Sequence, residues 1–282
     1  MSRELVNKCF VLAAWGAVGI SCLILVSMIS VITWNGLGAI NLGFLFTEAR
    51  NFGMSGGILY QIIGTLLIVA VAALICLPLA LGTAISKSEY LKNRRMRKLC
   101  TALIYGLNGI PSVIFGVFGL IFFVNILGTG ISWFVGSIIL AIMILPTVVL
   151  ATYQSINSIP KIYRESALTL GLNKWQVILH VVLPQGIGGS ITGLLIGLAR
   201  AVGETAPIMF IATAFSGVDI PGSPFEPVAT LPTHILALAQ QATAGQALQN
   251  AWGASLVLLT LVTLFSVTAL FSRMKLRTIS QR

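Results

Sequence analysis

Two opposite charges, Arg200 and Glu204, lie four residues apart inside the apolar run from Gly186 to Phe215. A guanidinium at the centre of a bilayer costs about 2.5–3.5 kcal/mol on insertion scales, so such a charge usually faces a partner helix or a water-filled path. The planar fork of arginine suits phosphate, sulfate or carboxylate. The pair therefore predicts a site on the path of an oxyanion, where Arg200 attracts the anion and Glu204 keeps Arg200 from trapping it.

The same spacing also fits an intrahelical salt bridge that only neutralises both charges. Arginine preceding glutamate is the weaker orientation for such a pair in an isolated helix, yet both interpretations remain open. The predicted substrate pathway comprises Arg200, Glu204 and the adjacent Thr205.

Small residues recur at every fourth position around the charged pair: Gly189, Gly193, Gly197, Ala201 and Thr205. Such a stripe lets a neighbouring helix approach closely, so the three glycines are predicted to pack against another helix. Pro207 follows, and because it lacks an N–H it frees the carbonyl of Gly203 and favours a kink there. A kink, a close-packing stripe and two charges predict a moving, water-accessible helix segment.

The composition indicates which kind of secondary structure positions this pair. The chain has 282 residues, of which 57% are hydrophobic and 9% charged, and its mean hydropathy is +0.98. A soluble domain would carry about 25% charged residues. The apolar runs are long and continuous, so we expect an all-α integral membrane protein with six transmembrane helices. The predicted spans are 9–34, 58–86, 101–127, 131–153, 186–215 and 250–272.

The cations indicate the orientation of these spans. All but two of the 17 basic residues fall in four segments: the N-terminal tail, 87–100, 154–185 and the C-terminal tail. With six spans these segments share one face, whereas Arg50 lies on the opposite face and Arg200 within a span. The positive-inside rule then predicts that both termini are cytoplasmic. The net charge of +10 thus reflects topology and anionic headgroups, and no nucleic-acid binding is predicted.

Residue patterns for metal binding and for ATP hydrolysis are missing from the sequence. The four cysteines form no CxxC pair and no His/Cys ligand spacing, so neither a metal site nor a disulfide framework is predicted. His234 is interpreted as a surface histidine at the start of a polar outer helix, His234 to Gln249. Without a phosphate-binding loop the chain cannot hydrolyse ATP alone, so we predict neither catalytic residues nor a directly bound cofactor.

The segment 154–185 predicts a structured knob. Pro160 opens a short helix through Leu170, and Gly171 follows it as a C-cap residue would. Asn173 then caps a second helix, Lys174 to Val182. Two short amphipathic helices that meet at a glycine turn suit insertion into a groove on a soluble partner, although a plain connector is the alternative.

This loop resembles the cytoplasmic loop of ABC importer permeases, which has the form Glu-Ala-Ala-x3-Gly-x9-Ile-x-Leu-Pro. The matching positions are Glu165, Ser166, Ala167, Gly171, Val181, Leu183 and Pro184, with serine and valine as mild departures at the second and fifth. The resemblance implies the type I importer permease fold over about 62–270, and a loop that docks on a separate ATPase subunit. The expected domains are an N-terminal helix with its external loop (1–57), the membrane domain (58–272) and a basic tail (273–282).

Two further stretches, Leu198 to Pro207 and Gly109 to Gly116, resemble the phosphate-specific PstA branch of this family. The family's transport-linked arginine and glutamate map onto Arg200 and Glu204. The resemblance implies an ATP-driven phosphate importer of the bacterial inner membrane, containing a PstC-like second permease, two PstB-like ATPase subunits and an external PstS-like phosphate-binding protein. The alternatives are a permease for phosphonate, sulfate or molybdate, a secondary transporter, and a membrane signalling subunit.

Overall fold

A computed structural model describes residues 3–53, 55–213, 220–241 and 245–280. Within this part of the chain, five helices are long and apolar enough to cross a membrane, and a bent pair of helices supplies a sixth candidate span. The five helices are Asn7–Leu37, Leu59–Tyr90, Trp133–Asn157, Lys174–Val202 and Gly245–Met274. The predicted all-α membrane fold is therefore confirmed.

In chain order, the helices are α1 (Arg3–Leu37), α2 (Leu42–Phe46), α3 (Leu59–Ile85), α4 (Arg94–Asn108), α5 (Ser112–Gly119), α6 (Trp133–Asn157), α7 (Lys161–Thr169), α8 (Lys174–Val177), α9 (Leu183–Val202), α10 (Ala206–Ile211), α11 (Leu231–Gln240) and α12 (Gly245–Ser280). Three π-helical segments extend them: Ser86–Tyr90 after α3, Leu120–Ile126 after α5, and Ile178–Val182 between α8 and α9. Two short strands, β1 (Ala49–Arg50) and β2 (Ser55–Gly56), form an antiparallel hairpin.

Helix α6 lies at the centre of the bundle, between α3 and α9. In the most apolar stretch of α6, 61% of the residues are buried, whereas in that of α1 none is buried. Helix α1 therefore lies outside the bundle, and it packs mainly on α12. Ile68, Ile139 and Ile144 are fully buried in the main core cluster. Because lipid tails are as apolar as leucine, van der Waals packing, and not water exclusion, holds these helices together.

The glycine stripe of α9 lies against α6. A Cβ added to Gly193 would come within 2.5 Å of the Ala151 Cβ, and one added to Gly197 within 3.3 Å of the Ile144 Cβ. Gly189 lies opposite Ser155 in the same way. The two helices thus meet with no room for side chains on this face of α9.

Replacing Gly193 with leucine should destabilise the protein, because the added atoms meet Ala151 and the backbone of Val148. Overpacking of this kind costs about 1–3 kcal/mol. Thermal unfolding of the purified protein in detergent measures the effect. Gly82→Leu in α3 is the matched control, since no atom lies within 4 Å of the added Cβ. Equal melting temperatures for the two variants would contradict close packing at Gly193.

The predicted span 101–127 is a bent pair of helices. Helix α4 ends at Asn108, α5 begins at Ser112, and the two meet at 92°. Pro111 has extended backbone angles (φ −57, ψ 139) and lacks an N–H, so the helix cannot run through it at this point. The break itself lies where the Asn108-Gly109-Ile110-Pro111 stretch interrupts the helical pattern.

The predicted span 186–215 and the separate helix Lys174–Val182 are wrong. One helix runs without interruption from Lys174 to Val202. A π-helical turn, Ile178–Val182, precedes Pro184. This turn changes the hydrogen-bonding register at the point where the proline, which lacks an N–H, would remove a bond. The helix therefore continues through Pro184. At the other end the chain leaves the helix at Gly203 and resumes it at Ala206, while residues 214 and 215 lie outside the described part.

His234 is not the surface residue that the sequence suggests. Helix α11 packs on α12 and α3, and Leu231, His234 and Leu238 are buried along it. His234 is 6% exposed and its ring lies against Gly53, and burial lowers its pKa from 6.5 to about 4. The interpretation was wrong because the alanines and glutamines of this segment suggested a polar helix, whereas α11 has an apolar face that packs on the bundle.

Candidate functional site

The charged pair lies where α9 ends. The N–H of Gly203 donates to the Arg200 carbonyl at 3.1 Å, and the N–H of Glu204 donates to the Ala201 carbonyl at 3.2 Å. These bonds tighten the last turn and use carbonyls that would otherwise lack partners. Glu204 and Thr205 then follow in irregular backbone before α10 begins. We name Gly203–Thr205 the α9–α10 break.

Arg200 and Glu204 are in direct contact. The Arg200 Nε donates to the Glu204 Oε1 at 3.2 Å, and the two side chains are 43% and 16% exposed. An exposed salt bridge contributes at most about 1 kcal/mol. The bond occupies one donor of a guanidinium that has five. The pair thus forms the bridge that the spacing allows, and it leaves other donors of Arg200 outside this bond.

Helices α5 and α10 pack against each other, and each follows an interruption of the helical chain. A Cβ added to Gly116 of α5 would come within 2.9 Å of the Pro207 Cα and the Phe210 Cδ2. Irregular backbone at membrane depth is tolerated where it packs on protein or lines a cavity. Pro207 therefore lies buried in a helix contact just after the break, with the half-buried Thr205 two residues before it.

The loop between α6 and α9 folds around one left-handed residue. Gly171 has φ +88, and its N–H donates to the Leu168 carbonyl at 3.0 Å. Asn173 and Gln176 form a reciprocal capping box that starts α8. We name Lys161–Val177, which includes residues predicted to dock an ATPase, the docking knob.

The residues predicted to dock an ATPase are spread over this region. Glu165 and Ser166 are exposed on α7, and Ala167 is buried beneath them. Gly171 is exposed at the turn. Leu183 and Pro184 lie further along, at the start of α9, where Leu183 is half-buried. The structure thus groups the first four positions on one knob and places the last two on the helix behind it.

The docking knob exposes large apolar side chains. They are Ile162 (62% exposed), Tyr163 (54%), Leu168 (53%), Leu170 (80%) and Trp175 (59%). The knob also carries charged residues. Exposed apolar side chains in this number favour a protein contact.

The knob makes one interaction that was not predicted from the sequence. The Arg164 Nε donates to the Glu89 Oε1 at 3.1 Å, and the two side chains are 17% and 14% exposed. The Arg164 Nη atoms donate to the Ile156 and Ile159 carbonyls, both at 2.9 Å, at the end of α6. Lys174 donates to the Glu89 carbonyl at 2.7 Å. Arg164 therefore ties α7 to the ends of both α3 and α6, and we name this cluster the Glu89–Arg164 joint.

Two cation–π contacts reinforce the joint. The Lys87 Nζ lies 4.2 Å from the centre of the Tyr153 ring, and the Lys174 Nζ lies 4.1 Å from that of Tyr90. Each such contact contributes about 0.5–2 kcal/mol, depending on its exposure. One sequence signal could have revealed the joint, because Glu89 is the single acid in the basic segment 87–100.

The broken helix and the docking knob both lie in a region that matches a known family. Residues 77–276 match the family described as the inner membrane component of binding-protein-dependent transport systems. The chain belongs to this family. It is thus a multi-pass permease subunit of an ABC transporter, and the match includes the α9–α10 break, the docking knob and the joint.

Curated relatives of this permease span most of its length. A probable ABC transporter permease protein, YqgI of Bacillus subtilis, is 31% identical over 95% of both chains. A probable phosphate transport system permease protein, PstA of Methanocaldococcus jannaschii, is 36% identical over 72% of this chain and 71% of its own.

Solved structures share the fold of the permease. A chain of a bacterial ABC transporter involved in the import of the acidic polysaccharide alginate aligns with a TM-score of 0.65, at 18% identity, over 98% of both chains. A chain of the methionine ABC transporter MetNI aligns with a TM-score of 0.57 over 79% of this chain. At these identities the likeness concerns the fold, and it confirms the predicted permease architecture.

Proposed function

We propose that this permease, together with a second permease, forms the translocation path of an ATP-driven importer of inorganic phosphate. The accessible guanidinium of Arg200, held by Glu204 at the α9–α10 break, carries the proposal. The relatives named as phosphate permeases support it, among them PstA of Methanocaldococcus jannaschii and PstA 1 of Mycobacterium tuberculosis, which is 31% identical over 78% of this chain.

In the proposed mechanism, Arg200 attracts the anion and Glu204 limits how long it stays. Phosphate oxygens match the guanidinium fork and form charge-assisted hydrogen bonds with it. Glu204, 3.2 Å away, competes for the same donors and returns to Arg200 when the anion leaves. Thr205, beside them in the break, completes the proposed pathway. A site that bound phosphate without such competition would release it slowly.

The drive for transport comes from a partner. We infer that the apolar residues of the docking knob insert into a groove on a PstB-like ATPase, two copies of which serve the permease pair. Glu165, Ser166, Ala167 and Gly171 form the proposed contact, with Leu183 and Pro184 behind it. ATP binds to that partner and not to this chain. A PstS-like binding protein delivers phosphate at the outer face, and both termini lie in the cytoplasm of a bacterial cell.

The uninterrupted helix from the knob to the break suggests how force reaches the substrate. Lys174–Val202 comprises 29 residues and is about 43 Å long. It begins within the docking knob and carries Arg200 in its last turn. Displacement of the knob by the ATPase therefore moves the α9–α10 break through a single element, while the Glu89–Arg164 joint carries the same displacement into α3 and α6.

Phosphate uptake by the reconstituted complex tests the proposed function. The complex of permeases, ATPase and binding protein is placed in vesicles, and ATP-dependent uptake of labelled phosphate is measured with sulfate or molybdate as competitor. We expect uptake that needs the ATPase and resists both competitors. Uptake that persists without the ATPase, or sulfate transport in place of phosphate transport, would contradict the proposal.

Reversing one charge of the joint should uncouple ATP hydrolysis from transport. Glu89→Arg places two cations together and weakens the attachment of the knob to α3, so we expect at least a fivefold rise in ATP hydrolysed per phosphate imported, roughly the effect of 1 kcal/mol. Parallel assays of phosphate release and uptake give this ratio.

The double variant Glu89→Arg with Arg164→Glu restores the opposite charges but not the two bonds to the Ile156 and Ile159 carbonyls, so it should recover part of the coupling. Lys92→Gln, an exposed change in the same segment, serves as the control and should leave the ratio unchanged. Failure of the double variant to recover any coupling, in a complex that assembles normally, would remove the joint from the mechanism.

A further inference from the structure

Helix α4 presents a cationic face and an apolar face to its surroundings. Four of its first five residues are cations, and all four are exposed: Arg94, Arg95, Arg97 and Lys98. Met96, Leu99 and Leu103 follow one another at i, i+3 and i+7 and are 49%, 53% and 60% exposed. A third side of the helix, which includes Ile104, packs on the core. The helix is therefore anchored on one side and open on two.

Contacts with α6 determine the direction of α4. Gly119 of α5 lies against Ile139, near the start of α6, so α5 runs alongside that helix. Arg97 of α4 donates to the Tyr153 hydroxyl at 2.9 Å, near the end of α6. Since α4 meets α5 at 92°, it lies across the far end of α6. If α6 crosses the membrane, α4 lies close to the membrane plane.

The length of α5 determines the depth of α4. Ser112–Ile126 consists of an eight-residue helix and a seven-residue π segment, and it rises at most about 22 Å. The hydrocarbon core of a bilayer is about 30 Å thick. If Ile126 lies at the outer interface, Ser112 therefore lies about 8 Å short of the inner one. An interfacial amphipathic helix buries its apolar face about 5–10 Å into the boundary between headgroups and acyl chains, so the turn before Ser112 places α4 at this depth.

We propose that α4 is an interfacial helix that binds the phosphodiester headgroups of anionic phospholipids in the inner leaflet. Met96, Leu99 and Leu103 enter the acyl boundary, and Arg94, Arg95 and Lys98 meet the phosphates. A basic amphipathic helix in the plane of the interface has the charge and shape that bind such lipids. The assignment depends on the proposed orientation, with the basic loops in the cytoplasm, and is independent of which solute the permease carries.

Lipid retention tests the charged face. The complex is extracted in mild detergent from membranes that contain phosphatidylglycerol, and bound lipid per complex is counted by mass spectrometry. The triple variant Arg94→Gln, Arg95→Gln, Lys98→Gln should retain at least about fivefold less phosphatidylglycerol, as the loss of even one effective surface cation predicts. The control variant Arg3→Gln, Lys8→Gln, Arg273→Gln removes the same charge elsewhere and should retain more.

Equal retention by the two variants would overturn the proposal, because lipid binding would then follow net charge alone. Loss of the ATPase from the triple variant with unchanged lipid would also overturn it and assign the face to a protein partner. Uptake is not the readout, so failure here is distinguishable from failure of the proposed phosphate transport.

Depth measurement tests the apolar face. Nitroxide labels are placed at Leu103→Cys and at Lys98→Cys in a permease whose four native cysteines are alanine, assembled with cysteine-free partner subunits. We expect the label at 103 to collide more with oxygen, which concentrates in lipid, and the label at 98 more with a water-soluble nickel chelate. Aqueous exposure of both labels would show that α4 lies off the membrane.

Discussion

Arg200→Gln should reduce phosphate uptake by the reconstituted complex at least about tenfold, because hydrogen bonds to charged groups contribute about 1.5–3 kcal/mol and each 1.4 kcal/mol is a factor of ten. Glutamine retains hydrogen-bonding groups but has no charge with which to attract the anion. Removing the charge of Arg200 leaves the docking knob unchanged, so the ATPase should still co-purify. Initial rates of labelled phosphate uptake, normalised to assembled complex, measure the effect. Arg50→Gln, a change in the β-hairpin, is the matched control and should leave uptake unchanged.

The double variant Arg200→Gln with Glu204→Gln separates the two interpretations of the pair. If the salt bridge only neutralises two charges, removing both leaves nothing uncompensated and uptake recovers. If Arg200 meets the anion, the double variant stays as inactive as the single one, and this is the result we expect. Recovery in the double variant would restrict the pair to a structural role.

Gly171→Val should abolish docking of the ATPase while the membrane bundle stays folded. Gly171 has φ +88, a backbone conformation that costs a β-branched residue roughly 1–3 kcal/mol. No atom lies within 4 Å of an added Cβ, so the effect comes from the backbone and not from a clash. The turn between α7 and α8 must rearrange, and the apolar residues of the knob lose their common surface. Co-purification of the ATPase with the tagged permease measures docking.

Gly130→Val is the matched control for backbone strain. Gly130 has φ +72, and its added Cβ would also meet no atom within 4 Å, but it lies in the turn before α6, at the other end of the bundle. This variant should lose comparable stability and keep the ATPase. Gly171→Asn should keep the ATPase too, because asparagine tolerates this conformation better than valine. Normal co-purification by Gly171→Val would contradict the docking assignment.

Local signals in the sequence predicted the knob well. Pro160, Gly171 and Asn173 act through their own backbone chemistry, and the structure places an N-cap, a left-handed residue and a capping box at these positions. The ends of span 5 could not be predicted in this way. Pro184 ordinarily indicates a helix boundary, and the π-helical turn that accommodates it has no composition of its own.

The joint shows a second limit of the sequence. Glu89 and Arg164 are 75 residues apart, and their contact depends on how α3, α6 and α7 pack. An acid in a basic segment indicates that some partner exists, but the chain offers many cations. The sequence likewise predicts a charge inside an apolar run, but it does not predict how deep in the membrane Arg200 lies. That depth depends on where α9 begins.

The position of Arg200 in the last turn of α9 has an electrostatic consequence. The peptide dipoles of a helix sum to roughly half a negative elementary charge at its C-terminal end, and that charge stabilises a nearby cation. Part of the countercharge for the guanidinium therefore belongs to the backbone and cannot move away. In the proposed mechanism, this fixed negative charge also weakens the attraction of Arg200 for the anion, so the backbone, like Glu204, favours release of phosphate into the path.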